Sequence, residues 1–174
     1  MNTYNDNREA EVVLKNNLAL DKLLKVLLII GIIVVSGIII YFVFNPAPGY
    51  TSFGLLNSNK QAGNYPKTAS VGENVTFYAI VGNFLGRDFR FYVEVLIGDN
   101  DTIRSETGSR NATSAYNTSI FSLHHTETWM SDSLQVSFSQ VGTNYSIIAE
   151  LWEVTTGSGN EFKNIMWFII NITT

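Results

Sequence analysis

The run VLLIIGIIVVSGIIIYFVF, Val26 to Phe44, constrains this chain more than any other feature. It holds nineteen residues without a charge, fifteen of them Leu, Ile, Val or Phe. As an α-helix it would be about 28 Å long, close to a bilayer hydrocarbon core of about 30 Å. Its interruptions, Gly31, Ser36, Gly37 and Tyr41, are mild. No face is polar, so the helix has no side to offer water, and a strand of this length is improbable. The run predicts a membrane-spanning helix over 26–44. It is longer than the apolar region of a secretory signal, and FNPAP is a poor cleavage site, which predicts an uncleaved signal-anchor.

The flanks predict orientation. Lys15, Lys22 and Lys25 precede the run, and the first cation after it is Lys60. Cations stay cytoplasmic, so residues 1–25 are expected inside and 50–174 outside. Tyr41, Phe42, Phe44 and Tyr50 suit the outer interface, and Pro46 and Pro48 make 45–49 a stiff exit linker. The leader NREAEVVLKNNLALDKLLK repeats apolar residues at helical spacing (Ala10, Leu14, Leu18), which predicts an amphipathic helix continuous with the span.

Charge and composition exclude some classes of function. The net charge of −4 resides in the outer part, which has no cluster of Lys or Arg, so nucleic acid is not an expected partner. There is no cysteine, so disulfides, thiolate metal sites and cysteine nucleophiles are absent.

After residue 50 the apolar period becomes two. Strands are predicted at 50–57, 75–83, 89–97, 116–125, 133–141, 144–154 and 161–173. NFLGRD and TTGSGN read as hairpin turns. The fold class expected is therefore mainly β: a single transmembrane α-helix, then a seven-stranded antiparallel immunoglobulin-like β-sandwich. Tyr145, shortly after Gly142, suggests a tyrosine corner.

Several blocks carry a resemblance: Tyr50–Leu55, the NYP of Asn64–Pro66, the VGEN of Val71–Asn74, Val81-Gly82-Asn83, the YVEV of Tyr92–Val95, and GTNYSIIAELWEV. Over roughly 50–155 the chain resembles a domain of unknown function found in archaeal membrane proteins. The resemblance implies an archaeal envelope protein, and its motifs are turns and strands without catalytic content.

Asn-X-Ser/Thr occurs at Asn74, Asn100, Asn111, Asn117, Asn144 and Asn171, all on the expected outer side, which makes N-linked glycan an expected partner. His124 and His125 are adjacent, and on a strand they would point to opposite faces, so a metal site with Glu127 or Asp132 is not expected. TTGSGNEFK lacks the helix a phosphate loop needs. Glu94, Glu150 and Glu153 read as surface charge on strands. No catalytic, cofactor-binding or metal residue is assigned, and no enzyme is expected.

One pattern is unusual. NIMWFII is apolar on both faces, with Met166, Phe168 and Ile170 on one and Ile165, Trp167 and Ile169 on the other; YSIIAELWEV, which includes Trp152, behaves alike. A solvated sheet face should be polar. The expectation is that loops, glycan or another protein cover this face. The residues named for protein contact are Ile165, Trp167, Ile169 and Trp152. The lipid bilayer and other envelope or membrane proteins are the remaining expected partners. The alternative expectation is an accessory single-helix subunit of a membrane complex, docked through helix and leader. The sequence leaves the oligomeric state open.

Overall fold

The computed structural model describes residues 3–45, 48–157 and 159–174, with side chains from Leu20 onward. Pro46 and Ala47 of the expected exit linker, Ser158 of the last turn and the side chains of the leader lie outside the described residues. Two compact units result, dividing after Pro48.

The first unit is one helix, α1 (Thr3–Phe44). Within it Leu20–Phe44 is long and apolar enough to cross a membrane, and every side chain there is exposed. Leader and apolar run are one unbroken helix of 42 residues. Lys25 pairs with Asp21 one turn earlier at 2.7 Å.

The second unit is an immunoglobulin-like β-sandwich. Its strands are β1 (Tyr50–Leu56), β2 (Thr68–Ser70), β3 (Val75–Phe84), β4 (Phe89–Gly98), β5 (Ile103–Ser105), β6 (Gly108–Arg110), β7 (Thr113–Asn117), β8 (Phe121–Leu123), β9 (Thr128–Met130), β10 (Leu134–Val136), β11 (Gly142–Thr155) and β12 (Gly159–Thr173). A four-stranded sheet places β3 between β1 on one edge and β9 and β10 on the other. A six-stranded sheet runs β2-β12-β11-β4-β7, with β8 also on β4, and β5 and β6 form a separate hairpin.

Alternation in the long strands sets the core. Val75, Phe77, Ala79 and Val81 of β3 face Phe89, Phe91, Val93 and Val95 of β4, and all are buried. Aromatic rings close the interior: Phe77 meets Phe168 edge-on at 5.8 Å, and Phe91 meets Trp129 edge-on at 5.3 Å. Such contacts add to the burial that drives folding.

The described residues form twelve strands where the sequence predicts seven, and the extra strands have identifiable causes. The predicted strand 116–125 breaks into β7 and β8. Between them Thr118 donates its N–H to the Val93 carbonyl, and its hydroxyl accepts the Val93 N–H at 2.9 Å. The predicted strand 133–141 survives only as β10. Ser131, between β9 and β10, repeats the device on β3: its hydroxyl accepts the Ala79 N–H at 2.9 Å and its N–H donates to the Ala79 carbonyl. In both sheets a hydroxyl stands in for a backbone acceptor where the strand breaks, so the central strand loses no hydrogen bond.

Three further expectations are corrected. NFLGRD is not a hairpin turn: β3 and β4 lie in different sheets, so it crosses between them. Buried Asn83 organises that crossing, donating to the carbonyls of Arg87 (2.7 Å) and Leu123 (2.9 Å) and accepting from Leu85 N–H (3.0 Å). The sandwich is not wholly antiparallel, because β2 pairs parallel with β12 at Asn171–Thr173. Tyr145 does not form a tyrosine corner. Its ring packs on Phe138 at 5.0 Å and over Gly142, whereas Tyr65 is the tyrosine whose hydroxyl reaches back to backbone, at Leu55 O, 2.7 Å away.

Candidate functional site

The outer face of the six-stranded sheet holds the unusual residues, and strand register arranges them in rows. Leu96 of β4 lies beside Ile148 of β11 and Trp167 of β12. Glu94, Glu150 and Ile165 form the next row, and Tyr92, Trp152 and Phe162 the next. Beyond Trp167, Ile169 lies beside Ser146.

Part of this face is covered by the chain itself. The β5–β6 hairpin lies over Glu150, a carboxylate only 3% exposed. Ser109 donates its N–H and hydroxyl to Glu150 Oε1 at 2.5 and 2.6 Å, and Trp152 Nε1 donates to Oε2 at 3.2 Å. Gly108 is called for by its backbone conformation rather than by lack of space. Its φ of +107 disfavours any side chain, and a Cβ there would stand 3.4 Å from Glu150 Oε1. Arg104, also on the hairpin, holds its guanidinium over the Trp167 ring, 5.4 Å from the centroid. Aromatic contact continues at the covered end, where Trp152 meets Phe162 edge-on at 5.5 Å.

The rest of the face is open. Trp167 is 45% exposed and Ile169 50%. Between the hairpin and β12 lies a cleft of about 370 Å³, lined by Arg104, Glu106, Phe162, Lys163, Ile165 and Trp167, among others. Ile165 and Trp152 are half-buried. Register therefore brings the four residues named for protein contact onto one face, but it separates Trp152, under the hairpin, from Trp167 and Ile169 in the open.

Glu150 and Glu153 are not surface charges; both are buried. Glu153 is held by Arg87 through both terminal guanidinium nitrogens, at 2.5 and 3.0 Å, and by Lys163 at 2.9 Å. The Arg87 hydrogen bonds hold the Glu153 carboxyl below the usual carboxylate range. Lys163 also reaches Glu161 at 2.7 Å. It occupies a bulge, because Leu151 pairs with Asn164 and Trp152 with Phe162, leaving Lys163 without an opposite residue.

The two histidines do not converge. His124 Nδ1 lies 2.8 Å from Asp88, and this contact raises the imidazole above its ordinary pKa. His125 Nδ1 instead accepts the Gly86 N–H at 3.0 Å. Glu127 accepts the His124 backbone N–H at 2.7 Å and so shapes the turn. Among the described residues no three acidic or histidine side chains come together as metal ligands would.

Five of the six sequon asparagines, Asn74, Asn100, Asn111, Asn117 and Asn144, are exposed. Asn171 is half-buried in β12, and its Oδ1 accepts the Asn144 N–H at 2.9 Å, so these two acceptors are neighbours.

The sequence reading missed Arg104, Ser109 and Lys163. Arg104 and Ser109 lie in the short polar stretch IRSETGSR, which carries no period, and Lys163 lies inside the predicted last strand, where only the bulge in its pairing with β11 sets it apart.

No family model matches the chain, and no curated protein sequence matches it. Among solved structures it is similar to a CARDB domain from Pyrococcus furiosus, crystallised in complex with di-metal ions. The identity is 17% and the TM-score 0.47, over 73% of this chain and 90% of that one. It is also similar to the C-terminal domain of Wzt, at 10% identity and a TM-score of 0.48, over 72% and 75% of the two chains. A β-glucosidase from Listeria innocua matches at 12% identity and a TM-score of 0.42, over 71% of this chain but 16% of that enzyme.

Proposed function

We propose that this chain is a single-pass, membrane-anchored glycoprotein module of an archaeal cell envelope. It carries out no reaction and works by contacting other envelope proteins through the open part of its outer sheet face. The observation that carries this reading is the pairing of Trp167 and Ile169, adjacent on that face and half exposed, beside a region the chain covers with its own hairpin. A half-exposed Trp next to Ile is the composition of an interface centre rather than of solvated surface. Trp167→Glu should strip native partners from the full chain purified in mild detergent, with its thermal midpoint little changed. Recovery of every native partner with that variant would overturn the reading.

Glycan belongs to the same reading. Asn100, Asn111 and Asn117 stand exposed on or beside the short strands β5 to β7 and are the favoured acceptors, with Asn74 and Asn144 next. Asn171, engaged by Asn144, is the least favoured. Mass spectrometry of native protein should find glycan on at least two sites; six bare sites would remove this part. The lysines before the span support a cytoplasmic N-terminus and an external sandwich. Protease added outside intact cells should then digest the sandwich.

A second reading rests on α1. A helix of 42 residues is about 63 Å long, twice the hydrocarbon core. About half of it would continue beyond the bilayer as a docking rod for a membrane complex. A stoichiometric multi-helix partner, retained after Trp167→Glu, would favour that reading.

A further inference from the structure

The open part of the outer face ends on a strand edge whose backbone is unpaired. Along a strand, successive N–H and C=O pairs point to alternate sides. The Asn171 N–H points away from β11, since it donates to the Lys67 carbonyl at 2.9 Å. So does that of Ile165, whose N–H is taken by the Asn164 side chain at 2.8 Å. Trp167 and Ile169 share this parity, and among the described residues their N–H groups have no partner, because β2 pairs with β12 only at Asn171–Thr173.

The window outside the pairing with β2 therefore runs from Asn164 to Ile170 and offers the N–H groups of Trp167 and Ile169, that of Ile165 being capped by the Asn164 side chain. It is bounded on one side by β2 and on the other by the bulge at Lys163. Its sequence, NIMWFII, carries no charge. Natural sheet edges are ordinarily blunted by charge, proline or a bulge, and within this window none of these is present. Of the cations beside it, Lys163 is held by Glu153 and Glu161, and Arg104 lies over the face of the Trp167 ring rather than along the strand edge.

The two boundaries are equidistant from Trp167, and this selects the partner. If a second copy of β12 lies antiparallel about a twofold axis at Trp167, then Trp167 faces Trp167, Ile165 faces Ile169, and Lys163 faces Asn171. Each strand would then meet the partner's β2 at the residue where its own bulge turns it aside. A self-complementary patch of this kind is what a twofold dimer requires. Resting on the protein-contact reading above, we infer that the partner of this edge is a second copy of the chain, joined by β12–β12 strand addition centred on Trp167.

The absence of native cysteine allows a register test on the full chain in mild detergent. Hydrogen-bonded antiparallel pairs place Cα atoms about 5.5 Å apart, inside the range a disulfide spans. Trp167→Cys should convert most of the chain to covalent dimer under mild oxidation. Ile165→Cys alone should cross-link roughly tenfold less, since its copies lie about 13 Å apart along the strand. Ile165→Cys mixed with size-tagged Ile169→Cys should give the mixed dimer. Ile169→Pro, which removes only an outward N–H, should give the monomer mass with an unchanged far-ultraviolet spectrum. A monomeric wild-type chain, or equal cross-linking at Ile165 and Trp167, would overturn the dimer. If the chain is monomeric yet Trp167→Glu still strips its envelope partners, the dimer falls and the contact face stands.

Discussion

The two faces of the six-stranded sheet are built from the same strands, yet different forces hold them. The inner face is apolar except where Glu153 pairs with Phe91 near its end, and it meets its complement across the sandwich, so Phe89, Phe91, Val93 and Val95 are fully buried. The outer face mixes a buried carboxylate, Glu150, with buried Ile148 and half-exposed Trp167. The inner face is closed by bulk and shape. The outer face is closed over part of its area by directed hydrogen bonds from a hairpin, and beyond the reach of that hairpin it stays open. An apolar pattern alone thus does not decide whether a strand residue is core; the cover available to it does.

The strongest test of this contrast replaces one large residue on each face. Phe91→Ala, which empties contacts with Phe89, Phe121 and Trp129, should cost about 3–5 kcal/mol in urea unfolding of the full chain. Trp167→Ala on the outer face should cost about 1 kcal/mol or less in the same assay, given its half exposure. Equal costs would mean that the open face is not open.

Next comes the hairpin's hold. Glu150→Ala leaves the Ser109 N–H and the Trp152 indole N–H without an acceptor and should cost about 1–3 kcal/mol. The Ser109 amide should lose its protection from hydrogen exchange. Glu150→Gln, which keeps an acceptor oxygen, should lose less. Unchanged exchange at Ser109 in the Ala variant would show that apolar contact, not the carboxylate, fixes the hairpin.

The edge of the same strands carries a pH-dependent term. Because Arg87 holds Glu153 below the usual carboxylate range, the stability this contributes is fully present above the unfolded carboxylate's pKa, about 4.3, and is lost as pH falls through the folded value. Arg87→Ala should therefore flatten the acid limb of the stability profile. Its cost near neutral pH should be at the low end of about 1–3 kcal/mol, since Arg87 is half exposed and Lys163 remains.

The smallest effect belongs to His124, whose imidazole is raised by Asp88. Its contribution is present below the unfolded imidazole's pKa, about 6.5, and is lost as pH rises through the folded value. Both groups are exposed, so the change should show in the His124 proton titration and hardly in the melting temperature. Asp88→Asn should return the titration toward the ordinary imidazole value.

By itself the sequence determined what local period and composition control. An unbroken apolar run of bilayer length predicts a helix with no polar face, and the Leu20–Phe44 part of α1 has that form. Alternation in FRFYVEVLI and VTFYAIVGN fixed which side of β3 and β4 faces inward, because side chains on a strand reverse at every residue. The double apolarity of NIMWFII was also visible, though not what would cover it. Tertiary structure decided the rest. Whether NFLGRD turns back within one sheet or crosses to the other depends on where Asn83 finds its partners, Arg87 O and Leu123 O, the second of them 40 residues away. Glu150 reads as solvated charge in a strand, and only the return of Ser109 from 41 residues away makes it a buried anchor. Period is a property of neighbours in the chain, whereas cover is a property of neighbours in space; the second cannot be computed from the first.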